Sequence, residues 1–149
     1  MTLEYISPNQ ARQYIYTEYN KYKNFYGEFL YTLKTAAGMN STATELSNFL
    51  IALQSGKLVK NVDELWTPVT LNNGETRGFN DVENGYAIGW HVIDRPQHRA
   101  ISASGGNAVT MIHYPEDKIS IVVLTNLIGG LPIQFVDRIA AQYIPDFKL

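Results

Sequence analysis

The chain has 149 residues, a formal net charge of -2, 45% hydrophobic and 17% charged residues, and no cysteine. This is the composition of an ordered globular chain of about one domain, and it excludes disulfide staples, thiolate catalysis and cysteine-based zinc sites. Without a cluster of Lys and Arg, nucleic acid and anionic membrane surfaces are poor candidate partners, and no apolar run reaches the length of a membrane span.

Residues 1–10 have neither the basic start nor the apolar stretch of a signal peptide. Residues 1–40 carry seven of the ten tyrosines, among Asn, Lys and Glu. Ala11, Tyr14, Ile15, Glu18 and Tyr22 fit a helix loosely and Tyr14 and Tyr16 fit a strand equally well, so the segment reads as mostly irregular. Residues 42–56 are a clear helix. Thr42 and Glu45 form a Thr-x-x-Glu capping box, Leu46, Phe49, Leu50 and Leu53 follow in one apolar stripe, and Gly56 suits the left-handed residue that closes a helix. Residues 61–66 fit one short helical turn before Pro68. Asn72-Asn73-Gly74 signals a tight turn.

The second half reads as an antiparallel meander, with sheet over residues 86–126. Residues 86–93, 98–104, 108–114 and 119–125 are strand-like, separated by Asp94-Arg95-Pro96-Gln97, Gly105-Gly106 and Pro115-Glu116-Asp117-Lys118. The run Ile119-Ser120-Ile121-Val122-Val123-Leu124-Thr125 is nearly continuous in apolar character and is expected to be buried on both faces. After Gly129-Gly130, a helix over residues 132–144 starts at Pro132. Its predicted face is Phe135, Val136, Ile139, Ala140 and Tyr143, and Pro145 ends it. The fold class is α+β.

The search for chemistry is mostly negative. There is no Gly-x-Ser-x-Gly elbow, P-loop, Rossmann glycine pattern or His-Glu-x-x-His. None of the seven serines has a Lys three residues later, so the Ser-x-x-Lys arrangement, in which one helical turn sets an amine beside a hydroxyl, does not occur. His91, His98 and His113 have no second His or carboxylate at ligand spacing, and each reads first as a surface or sheet-face histidine. No metal or cofactor is expected. Ser104-Gly105-Gly106 at a strand end is the one local feature with chemical potential. It is either a glycine bulge or turn, or a place where a ligand approaches the backbone and a free N–H donates to a developing oxyanion.

In order along the chain, the pieces are more specific. Residues 36–46 (Ala-Ala-Gly-Met-Asn-Ser-Thr-Ala-Thr-Glu-Leu), Tyr86-Ala87-Ile88-Gly89-Trp90, Ser104-Gly105-Gly106 and Tyr114-Pro115-Glu116-Asp117 with Ile121-Val122-Val123-Leu124-Thr125-Asn126 resemble successive segments of β-lactamase-related serine hydrolases. The similarity runs from about residue 8 to the terminal helix. The resemblance implies a single partial domain, residues 1–149, forming the C-terminal portion of a β-lactamase and penicillin-binding-protein fold: a preceding helix, an antiparallel meander and a C-terminal helix. In that family a Ser-x-x-Lys helix supplies the nucleophile, a Tyr-x-Asn/Ser loop a second polar pair, and a Lys/His-Thr/Ser-Gly strand lines the cleft. Only the third element carries over. Ala103 takes the place of Lys or His, Ser104 that of Thr or Ser, Gly105 that of Gly, and Gly106 follows where an oxyanion-hole N–H is often placed. The implied substrate-binding residues are therefore Ser104, Gly105 and Gly106, with no catalytic residue in this chain. Tyr5-Ile6-Ser7 and Tyr22-Lys23-Asn24 spell the second motif by letters, but that motif should precede the segment present here, so neither is assigned.

The implied function is acyl-enzyme hydrolysis of an ester, amide or β-lactam by the full-length protein on a small-molecule or peptide substrate, with this chain inactive alone. The alternative is a non-catalytic binding module derived from the same fold. An uncovered sheet or helix surface would favour homo-oligomers. The residues leave the compartment open; the resemblance implies a periplasmic or secreted one.

Overall fold

Short apolar segments alternate with turn-forming residues between positions 85 and 124, and neighbouring strands in such a stretch pair in order. The computed structural model describes residues 9–18, 21–25, 36–78 and 80–149. In it these segments form a five-stranded antiparallel sheet. Its strands, in spatial and chain order, are β3 (Gly85–Tyr86), β4 (His91–Ile93), β5 (Ala100–Gly105), β6 (Val109–Tyr114) and β7 (Ile119–Leu124). Its longest strands form the β5–β6–β7 meander, with Ser104 opposite Thr110 and Thr110 opposite Val123.

Alternation of side chains gives this sheet two apolar faces. On one face Ile101 and Val92 meet Leu50, Leu53, Trp66, Ala87 and Trp90, with Ala103, Met111 and Val122 packed against them. On the other, Ile93, Ala100, Ile112 and Tyr114 meet Val136, Ala140 and Ile144. Helix α1 (Ala43–Gln54) supplies the first cover, helped by α2 (Val62–Trp66). It starts as expected: Thr42 accepts from the Glu45 N–H at 3.2 Å, and the Glu45 carboxylate accepts from the Thr42 N–H at 2.9 Å. Its Leu50 and Leu53 are buried, whereas Phe49 of the expected stripe is 41% exposed.

Several expectations are corrected. Residues 1–40 are not irregular throughout: β1 (Tyr14–Thr17) and β2 (Lys21–Asn24) form a hairpin, and β1 also pairs in parallel with β8 (Leu127–Ile128). The second partner of β1, strand β8, lies more than a hundred residues away, beyond the reach of local periodicity. Tyr5, Tyr19, Tyr26 and Tyr31, and the letters Tyr5-Ile6-Ser7, lie outside the described residues. Residues 86–93 are not one strand. The chain reverses at Gly89 (φ +75°), and Tyr86 pairs back onto His91.

The run 119–125 is not buried on both faces: β7 is the last strand of its sheet and half-buried over residues 119–123, with Leu124 37% exposed. The terminal helix is two pieces. A 3-10 turn at Pro132–Gln134 leads to α3 (Val136–Ala140). Val136, Ala140 and Ile144 face the core at four-residue spacing, and Tyr143 points outward, 70% exposed.

Candidate functional site

Ser104-Gly105-Gly106 lies at the end of β5, the middle strand of the sheet. The pairing of β5 is uneven along its length. β6 runs opposite residues 101–105, whereas β4 reaches only residues 100–102. Among the described residues, 103–105 therefore have a sheet neighbour on one edge. Beyond them the chain turns within three residues, with Gly106 (φ +57°) and Asn107 (φ +52°) both left-handed and the Ala108 N–H donating to the Gly105 carbonyl at 3.1 Å. A glycine takes that conformation without cost, and Asn tolerates it.

The tip of this hairpin is pinned from the C-terminal side. The Thr125 hydroxyl donates to the Ala108 carbonyl at 2.7 Å, and the Leu131 N–H donates to the Asn107 carbonyl at 2.9 Å. Next to Thr125, the Asn126 amide donates to the Arg12 carbonyl at 3.0 Å, and the Tyr14 N–H donates to the Asn126 carbonyl at 2.7 Å. The Thr125-Asn126 pair thus holds both the β5–β6 turn and strand β1.

Alternation sends Ala103 and Ser104 to opposite faces. Ala103 packs against the α1-side cluster, near Trp66 and Trp90, whose rings meet edge-on at 6.4 Å. It presents no charge there. Ser104 points to the other face, where its hydroxyl donates to Glu83 Oε1 at 3.1 Å and lies 3.0 Å from Thr110 Oγ1. The hydroxyl is thus engaged within the fold, and what this edge turns outward is main chain.

Glu83 is the group sequence reasoning missed. It is 7% exposed and arrives on the loop between Gly78 and Gly85. The Asn80 side chain caps that loop by accepting from the N–H groups of Val82 and Glu83, and the Asn84 amide exchanges two hydrogen bonds with the Asp94 backbone. One carboxylate oxygen gathers three neighbours: Ser102 Oγ donates to it at 2.6 Å, Ser104 Oγ at 3.1 Å, and His91 Nδ1 lies 3.0 Å away. His91 had no carboxylate at ligand spacing in the sequence. Folding supplies one from eight residues upstream by turning the β3–β4 hairpin. The one available signal was the pair of serines at alternate positions of a strand whose other residues are apolar.

The other two histidines are placed apart from this edge. His98 Nδ1 lies 3.0 Å from Asp117, and its ring stacks on Phe147. His113 Nδ1 lies 2.9 Å from Ser120 Oγ, with the Trp66 ring 5.0 Å away. Burial pushes the His113 imidazole below its ordinary value, against a smaller opposing contribution from the Ile119 backbone. Among the described residues no group of three His, Asp or Glu is placed to hold a metal ion, and no helix is long and apolar enough to cross a membrane. Tyr22, Lys23 and Asn24 lie exposed on β2, on the three-stranded sheet and not on the one that carries Ser104.

The family model described as Beta-lactamase matches residues 5–143. The crystal structure of a penicillin binding protein from Bacillus halodurans superposes with a TM-score of 0.68 at 18% sequence identity, covering 95% of this chain and 43% of that one. The chain thus spans less than half the length of that protein. No curated protein shows significant similarity to it.

Proposed function

Because the chain belongs to the Beta-lactamase family, a group of serine hydrolases, we propose that its 149 residues form one wall of a hydrolase cleft. In this reading the nucleophile and its activating amine come from polypeptide outside these residues. The full-length protein would then hydrolyse an ester, amide or β-lactam through an acyl-enzyme. The observation that carries this reading is the half-paired end of β5. A strand whose residues 103–105 have a neighbour on one edge, ending in a left-handed turn at Gly106, can take an extended substrate along the other edge and turn a backbone N–H toward a developing oxyanion. Ser104 contributes through its main chain, since its hydroxyl is engaged by Glu83 and Thr110. No lysine follows any serine at the third position, so this chain alone is expected to be unreactive.

The test is exposure of the purified chain to a fluorescent acylating serine probe and to a labelled penicillin, followed by intact-mass measurement. The expected result is no adduct. Stoichiometric labelling of any serine, mapped by peptide analysis, overturns the division of labour. Reading the gene upstream in frame is the companion test, with a Ser-x-x-Lys segment expected there.

The alternative, a binding module without chemistry, is favoured by one observation: Ala103 offers no charge where hydrolases of this family carry Lys or His. The two readings separate on the upstream sequence, which a stand-alone module does not need. A further part of the proposal is self-association, supported by β7. It ends its sheet, and no strand among the described residues pairs with its outer edge.

A further inference from the structure

We propose that Glu83 is a positioning residue, whose carboxylate holds the half-paired end of β5 in the conformation that the cleft edge requires. The inference rests on the reading of residues 104–106 as that edge. Strand β5 carries two hydroxyls on one face, Ser102 and Ser104, and β6 places Thr110 opposite Ser104. Ser102 is fully buried and Thr110 nearly so. A buried hydroxyl without a partner destabilises the fold around it, and with Ser104 half-buried beside these two, leaving the three unpaired would loosen this part of the sheet. A single acceptor resolves all three, because Glu83 Oε1 takes the Ser102 and Ser104 hydroxyls and Ser104 in turn meets Thr110.

The position of this acceptor matters more than its presence. Ser102 is the last β5 residue paired with β4, and Ser104 lies in the part that β4 does not reach. The Glu83 carboxylate therefore bridges the fully paired and half-paired parts of the strand. It substitutes, from the face of the sheet, for the second strand neighbour that no described residue supplies to 103–105. Its own loop is fixed by the Asn80 and Asn84 side chains, which bond to backbone within the loop and at Asp94 and not to β5 itself. His91, from β4, meets the same oxygen and ties the third strand into the cluster.

A carboxylate that merely fills a polar gap in the core would affect the whole sheet when removed; a positioning carboxylate affects one end of one strand. Backbone 15N relaxation on the full chain distinguishes them. In Glu83→Met, which keeps the length of the side chain and removes the acceptor, the order parameters of the Ser104 and Gly105 amides are expected to fall from the rigid range of about 0.85 to below about 0.6. Those of Ile112 and Val122 should stay unchanged. Glu83→Gln, which retains an acceptor oxygen, should restore most of the order. Ser104→Ala, which removes one donor and leaves the carboxylate bonded to Ser102, should loosen Gly105 alone, and it decides the matter if Glu83→Met does not fold. Unchanged order at Gly105 in the folded variants, or equal loosening across β6 and β7, overturns the proposal. The readout needs no hydrolysis, so a labelling result that removes the cleft reading leaves this measurement intact, and the reverse holds as well.

Discussion

His113 is buried on β6 between the Trp66 ring and the Ser120 hydroxyl, and burial keeps its imidazole neutral more readily than in water. The unfolded chain binds that proton near the ordinary value of 6.5, the folded chain only at lower pH. Between the two, the unfolded state holds more protons, and stability falls as pH falls. This contribution is fully present above pH 6.5 and is lost below it. Thermal midpoints measured from neutral pH down to about pH 5 should decline more steeply for the natural chain than for His113→Gln. Identical slopes would remove His113 as the cause. At Arg95 the balance differs. Burial opposes its charge, but the Asp137 carboxylate, bonded bidentately at 2.7 and 3.2 Å, holds it charged. The same carboxylate accepts from the Tyr114 hydroxyl at 2.8 Å. Burial first, and then Asp137, push that phenol far above its usual range.

Among elements, α1 shows how far local rules reach. Its capping box satisfies free N–H groups of the first turn, and Thr42→Ala should cost about 1 kcal/mol in urea denaturation. Thr42→Ser should cost little, because it keeps the hydroxyl. Equal midpoints for Thr42→Ala and the natural chain would show that the cap does not stabilise the helix. Such a box was legible in the sequence because its parts lie three residues apart. The β5–β6 and β6–β7 turns were legible for the same reason, through Gly105-Gly106 and residues 115–118. Elements whose logic is not local were misread. Tyr86-Ala87-Ile88-Gly89-Trp90 has the residues of a strand, yet Gly89 takes a left-handed turn there and leaves two strands of two and three residues. Strand β1 pairs with β8 as well as with the adjacent β2, and no window of sequence contains both β1 and β8. At the candidate site, Ser104, Gly105 and Gly106 stood out by motif. Glu83 did not, since a carboxylate 19 residues from Ser102 becomes its neighbour only through a hairpin and a capped loop.

For the whole molecule, the proposed self-association rests on the outer edge of β7, which no strand among the described residues pairs with. Its sequence, Ile-Ser-Ile-Val-Val-Leu, carries no charge, and an uncharged apolar edge invites pairing with another strand. Sedimentation velocity is expected to show concentration-dependent species larger than the monomer. Leu124→Lys places a charge on the exposed end of this edge and should shift the distribution toward monomer. A natural chain that stays monomeric at every concentration reached would show that the edge is protected.

The parallel contact of β1 with β8 has a kinetic side. Tyr14 and Ile15 lie opposite Leu127 and Ile128, so this contact closes a loop that includes the entire meander. Loop closure becomes harder as the enclosed chain lengthens, whereas β5, β6 and β7 meet through turns of a few residues, and local contacts form sooner. On this basis the tyrosine hairpin docks late during refolding. During synthesis it must wait, already outside the ribosome, until the last strand emerges to receive it.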